Sequence, residues 1–185
     1  MLPLLAVPNV QVVAVCDPNK SAIGYRDWSP NGLKSEIRNA IGKPDWNPGG
    51  DNTIPGGRDN GKDIVDSFYS NKRGGDNFKG CNAYEDYREL LEKEKDVDAV
   101  KIMTPDHLHG LFAIAALKRN KHVLMHKPVS NRLLEGKAVI ELARQKTNIV
   151  THLIPWDSNG SMDQVMEWIN HGKIGKLKEV HNWTN

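Results

Sequence analysis

No run of apolar residues in this chain approaches the ~20 that a helical membrane span requires, so a transmembrane helix is excluded at the outset. Cysteine is almost missing as well. Cys16 and Cys81 lie far apart, one of them inside an apolar segment, and make neither a disulfide framework nor a metal-binding pair. A reducing compartment fits; the address stays open, with the cytoplasm favoured. An excess of one charge is also lacking: 25 Lys and Arg stand against 23 Asp and Glu, evenly spread, for a net charge of +2. That argues against a nucleic-acid partner or a charged membrane surface. The opening "MLPLLAVPNV" has no basic leader and no small-residue cleavage pattern, so it reads as the tail of a helix rather than a signal peptide.

What is present belongs to an ordinary soluble chain. It has 185 residues, 38% of them hydrophobic and 26% charged, about one domain by length and long enough to bury a core. "VQVVAVCDPN" carries β-branched residues at 10–15, too short a run for a helix and closed by Asp-Pro-Asn, which predicts a buried parallel strand. From about Gly24 to Gly80 the composition turns to Gly, Pro, Asn and Asp with no usable period. This reads as an irregular insertion, either mobile and functional or a surface elaboration.

Regular spacing resumes with "NAYEDYRELLEKEKDVDAVKIMTP", where Tyr84, Tyr87, Leu90 and Leu91 predict a helix and residues 97–103 a second strand. A helix follows with Leu108, Leu111, Phe112 and Ala115 on one face, then the strand "HVLM", a helix with Leu134, Ala138 and Leu142 four apart, and the strand "NIVTHLI". Strand and helix in alternation mean an α/β fold, a doubly wound parallel sheet. Ser161 with Gln164 reads as a capping box for a further helix, and "IGKLKEVHNWTN" as the entry to a new strand.

Three polar clusters fall where strands end, the edge at which such sheets bind ligands. Asp17 closes the first strand, where a carboxylate can accept both ribose hydroxyls of an adenine nucleotide. An Asp followed by Pro is equally a turn former. "TPDHLH", residues 104–109, closes the second; its two histidines fall short of the three or four donors of a metal site. "HVLMHKPVSNRLLEGK" places His126, Lys127 and Pro128 where a third strand gives way to a helix. Pro128 is set to make a tight bend there, with a cis bond open to it.

Taken together, these clusters and their spacing resemble the Gfo/Idh/MocA family of nicotinamide-dependent oxidoreductases. "VVAVCDPN" is similar to the family's second strand with its ribose-binding Asp. "DVDAVKIMTPDHLHGLFAIAALKRNKHVLMHKP" is similar to its TP-x-x-x-H and E-K-P segments, and "INHGKIGKLKEVHNWTN" to the crossing into its substrate domain. The resemblance implies a Rossmann-like domain over about 1–153, with the insertion at about 24–80, and the start of an α+β substrate domain over 154–185. It implies hydride transfer to or from a sugar or polyol, with Lys127 bonding the reacting hydroxyl. Thr104, Pro105, His109, His126 and Pro128 would line the cofactor and Asp17 would hold the ribose. NAD is expected over NADP, because no arginine directly follows Asp17.

Two departures from the family accompany this. His126 stands where the family has glutamate, which removes a carboxylate that would raise the lysine pKa. The family's first strand and Gly-rich phosphate loop have no counterpart before residue 10, so the expectation is a piece of a longer protein, with a homo-oligomer possible in the complete form. Two other functions stay open: a glycosidase of the same fold that oxidises its sugar transiently, and a non-catalytic module.

Overall fold

The structure, a computed structural model, describes residues 2–26, 32–50, 53–72, 78–154, 161–179 and 181. The chain divides into two compact units, Met1–Asp98 and Ala99–Asn185. The division expected after residue 153 therefore falls inside the second unit.

The first unit begins with the short helix α1 (Leu2–Leu5) and the strand β1 (Ala14–Cys16). It continues through β2 (Ala22–Arg26), α2 (Gly32–Ile41), β3 (Thr53–Gly56), α3 (Arg58–Lys72), β4 (Asn82–Tyr84) and α4 (Tyr87–Lys93). β1 and β4 pair in parallel, with Val15 opposite Ala83, and β2 and β3 pair antiparallel. The strand expected over 10–15 is shorter than its β-branched run suggests. The fully buried Tyr69 explains this, because its hydroxyl accepts the Val12 N–H at 2.9 Å and so takes a donor that a ladder would have used.

The stretch expected to be irregular contains two strands and two helices. Ile64, Val65, Phe68 and Tyr69 of α3, at 0 to 5% exposure, share one face by their spacing and form the centre of the unit's core with Ile37, Ile41, Trp46 and Leu5. Among its loops, the ammonium of the buried Lys34 donates to Asn47 Oδ1 at 2.7 Å, Thr53 Oγ1 at 3.2 Å and the Gly50 carbonyl. Trp46 Nε1 donates to Asp63 Oδ2 at 2.7 Å. Tyr84, expected on a helix, is in β4. The helix starts only after Asp86, whose carboxylate accepts the Arg88 N–H at 2.8 Å as an N-cap.

The second unit holds the parallel strands β5 (Ala99–Ile102), β6 (His122–His126) and β7 (Thr151–Ile154), in the order β5-β6-β7. The crossovers are α5 (His109–Lys118) and α6 (Leu133–Gln145), and α7 (Ser161–Asn170) follows. Val100 faces Val123, and Met125 faces Leu153. The core joins Ile102, Ala113, Ala116, Leu117, Val123, Met125 and Val139.

The buried faces of both crossover helices differ in part from those expected, although Phe112 of α5 and Leu142 of α6 do pack against the core. α5 buries His109, Gly110, Ala113, Ala116 and Leu117, and leaves Leu111 exposed. Apolar residues surround that helix, so period alone does not choose a face. Close approach does: a Cβ on Gly110 would lie 2.6 Å from Glu135 Cγ of α6. On α6 the buried residue is Val139, with Leu142 and Ala143 beside it, while Leu134 is 80% exposed. The Ser161 side chain of the expected capping box lies outside the described residues, as do residues 180 and 182–185 of the expected final strand. Residues 173–179 form no strand.

Candidate functional site

The carboxyl end of β1 is a hydrogen-bonded turn. Asp17 N–H donates to the Tyr84 carbonyl at 3.1 Å, prolonging the β1–β4 ladder by one bond. Its Oδ1 accepts the Asn19 N–H at 2.8 Å, so the carboxylate does act as a turn former. That role leaves Oδ2 without a protein partner among the described residues, and the two readings of Asp17 are compatible. Arg58, 41 positions away and first in α3, is brought to the same turn. Its Nη1 donates to the Asp17 carbonyl at 3.2 Å and the Pro18 carbonyl at 2.9 Å, and its Nη2 to Glu85 Oε2 at 2.9 Å. Sequence separation hid this residue, and only the return of α3 beside β1 places it there. Cys16 beside the turn is pushed up to about 11 by partial burial, then by the Asp86 and Asp17 carboxylates, so it is a neutral thiol.

The ends of β5 and β6 are tied by one side chain. His109 is fully buried; its Nδ1 lies 2.7 Å from the Pro128 carbonyl and its Nε2 2.8 Å from the Thr104 carbonyl. Carbonyl oxygens only accept, so whichever ring nitrogen carries hydrogen donates to one of these loops. His109, expected to line the cofactor, thus has both nitrogens against backbone, and its direct effect is to hold Thr104 and Pro128 in a fixed relation. The Thr104 hydroxyl is buried and lacks a hydrogen-bond partner among the described residues. Leaving a hydroxyl unpaired costs about 1–3 kcal/mol, so it is suited to a ligand's polar group.

Lys127 follows directly on β6. Its N–H donates to the Ile154 carbonyl at 3.0 Å, which anchors its backbone on β7, and the Lys127–Pro128 peptide is cis. Along β6, Val123 and Met125 are buried and alternate with His122, Leu124 and His126. His126 therefore faces away from the Val123 and Met125 side. His126 Nδ1 lies 3.2 Å from the Lys127 carbonyl. Beyond the bend, Ser130 donates to Glu135 Oε2 and accepts the Arg132 N–H at 3.0 Å, which fixes the start of α6. Pro105 precedes the 3-10 turn Asp106–Leu108 and is exposed, as is His107. His107 and His109 thus occupy different environments, and no group of three or more His, Cys, Asp or Glu gathers among the described residues.

Residues 61–153 match the family model described as "Oxidoreductase family, NAD-binding Rossmann fold", that of Gfo/Idh/MocA. The chain belongs to this family. The match begins within α3, inside the stretch that composition alone had set apart. A dTDP-3,4-didehydro-2,6-dideoxy-alpha-D-glucose 3-reductase of Streptomyces violaceoruber is 33% identical over 101 residues, 55% of this chain and 29% of the relative. The levoglucosan dehydrogenase of Pseudarthrobacter phenanthrenivorans is 32% identical over 98 residues, 52% of this chain and 24% of the relative. The matched part of this Gfo/Idh/MocA chain thus spans less than a third of either relative. Among solved structures, myo-inositol 2-dehydrogenase from Lactobacillus plantarum superimposes with a TM-score of 0.58 at 13% identity, over 95% of this chain and 38% of that one. A 3-ketoreductase from Actinomadura kijaniata, in complex with TDP-benzene and NADP, does so with a TM-score of 0.53 at 23% identity, over 95% and 40%. At those identities the likeness shows the fold, which is Rossmann-like. No helix among the described residues is long and apolar enough to cross a membrane.

Proposed function

We propose that the full-length protein transfers hydride between NAD and a sugar or polyol, with Lys127 as the catalytic residue. The observation that carries this is the His109 tie. It holds the end of β5 to the bend after Lys127, beside a Thr104 hydroxyl that lacks a partner among the described residues. Each unit taken by itself carries a feature suited to part of a dinucleotide: in the first Asp17 keeps an oxygen for ribose hydroxyls, and in the second Thr104 offers a polar atom without a partner among the described residues. The nicotinamide, when bound, supplies the hydride acceptor or donor. Lys127 Nζ bonds the reacting oxygen and holds the proton that leaves or enters there. Thr104, Pro105, His126 and Pro128 border the coenzyme, and His109 keeps their loops in register. The named activities of the two relatives, on a deoxysugar nucleotide and on levoglucosan, support a carbohydrate-type substrate.

Lys127→Ala tests this in the full-length protein. The turnover rate should fall about 10²- to 10⁴-fold, as for a lost acid-base group, while NADH still binds. Full activity in that variant would remove Lys127 from the chemistry. Glycoside cleavage without net NADH would return the glycosidase reading, and failure of the wild type to bind any dinucleotide would return the non-catalytic one.

A further inference from the structure

NAD and NADP differ at one place, the 2′ position of the adenosine ribose, where NADP carries a phosphate of about −1.5 to −2 charge. A protein tells them apart by what stands there, commonly an acidic residue for the hydroxyl and an arginine for the phosphate. The end of β1 holds both kinds of residue. Arg58 donates to the carbonyls of Asp17 and Pro18 through Nη1 and, among the described residues, to the Glu85 carboxylate through Nη2. The arginine side chain is 17% exposed and the glutamate 69%, so the cation lies inward and the carboxylate outward.

We propose that the Arg58–Glu85 pair sets coenzyme choice: Arg58 holds the Asp17 turn, and Glu85 withholds its guanidinium from a 2′-phosphate, so that NAD is preferred. This rests on Asp17 being the ribose contact. Arginine has five N–H donors, and the fork on the Glu85 side is the one that would otherwise receive an oxyanion. The surrounding charge points the same way. Asp17, Glu85 and Asp86 lie at this edge against Arg58, and Asp86 is itself bonded to Arg88. A phosphate arriving there meets the Asp17 and Glu85 carboxylates beside the one Arg58 guanidinium.

The test is fluorescence titration of the full-length protein with NADH and NADPH, for wild type, Glu85→Gln, Arg58→Ala and the double variant. Glu85→Gln should shift the affinity ratio toward NADPH by about tenfold, equivalent to about 1.4 kcal/mol. Arg58→Ala should weaken NADH, and in the double variant the gain for NADPH should vanish, because the cation that produced it is gone. Normal NADH binding with an unchanged ratio in Glu85→Gln would overturn the inference alone. A gain that survives in the double variant would overturn it too. A wild type that binds neither dinucleotide would fail at the earlier step, the dinucleotide reading itself.

Discussion

In the first unit the segment from α2 to α3 is gathered by polar side chains reaching far along the chain: Lys34 to Asn47 and Thr53, Trp46 to Asp63, Tyr69 to Val12. The second unit relies instead on three regular strands and on Ala113, Ala116, Leu117, Val123, Met125 and Val139 packed together, with the His109 ring buried beside them. The difference shows two ways of ordering a chain. Periodic apolar residues suffice where strands and helices alternate. In the Gly- and Pro-rich segment α2 and α3 still bury apolar faces, and the loop at 47–53 between them, with few apolar groups, is tied down by the buried Lys34 donor.

The contrast can be pushed hardest in the apolar unit. Leu117→Ala should cost about 2–5 kcal/mol, the range for a buried leucine. Leu134→Ala, at a position that looks equally apolar in sequence, should stay within about 0.5 kcal/mol. Equal losses in urea denaturation would mean that α6 packs on the face expected from its leucines.

Next in size is Lys34→Ala, which removes the buried ammonium from Asn47 Oδ1, Thr53 Oγ1 and the Gly50 carbonyl. It should cost about 1–3 kcal/mol in the same measurement. A neutral result would show that the Gly-rich loop is not held by that ammonium.

Amide exchange sharpens the comparison without mutation. Residues 61–71 of α3, whose apolar face is in the core, should exchange far more slowly than the loop at 47–50. Uniformly fast exchange across both would restore the insertion as a mobile element.

The smallest effect concerns pH. Burial pushes the Asp63 carboxyl up, but bonds from Trp46, Lys43 and Ser67 outweigh it and hold it below its ordinary 3.8. A lowered folded value means that its contribution is present above 3.8 and is lost as pH falls through the folded value. Asp63→Asn should therefore flatten the acid limb of a stability profile. Asp63 is half exposed, so the change should be slight.

The sequence by itself determined the alternation of strand and helix after residue 97, the strand ends at Thr104 and Lys127, the turn at Asp17, and through them the family. Those features are local: a β-branched run, a Pro after a strand and a helical apolar period each act within a few residues. Only the tertiary structure decided which faces of α5 and α6 are buried, since apolar residues occupy more than one face and Gly110 admits just one approach. It also decided that residues 58–72 form a core helix, although their apolar spacing was there to be read amid the Gly and Asn. Arg58 at the Asp17 turn had no local signal at all, and the TP-x-x-x-H spacing that marked His109 gave no sign of its tie to the Pro128 carbonyl. Their partners lie up to 41 positions away, and hydrogen bonds over that distance exist only once the chain has folded.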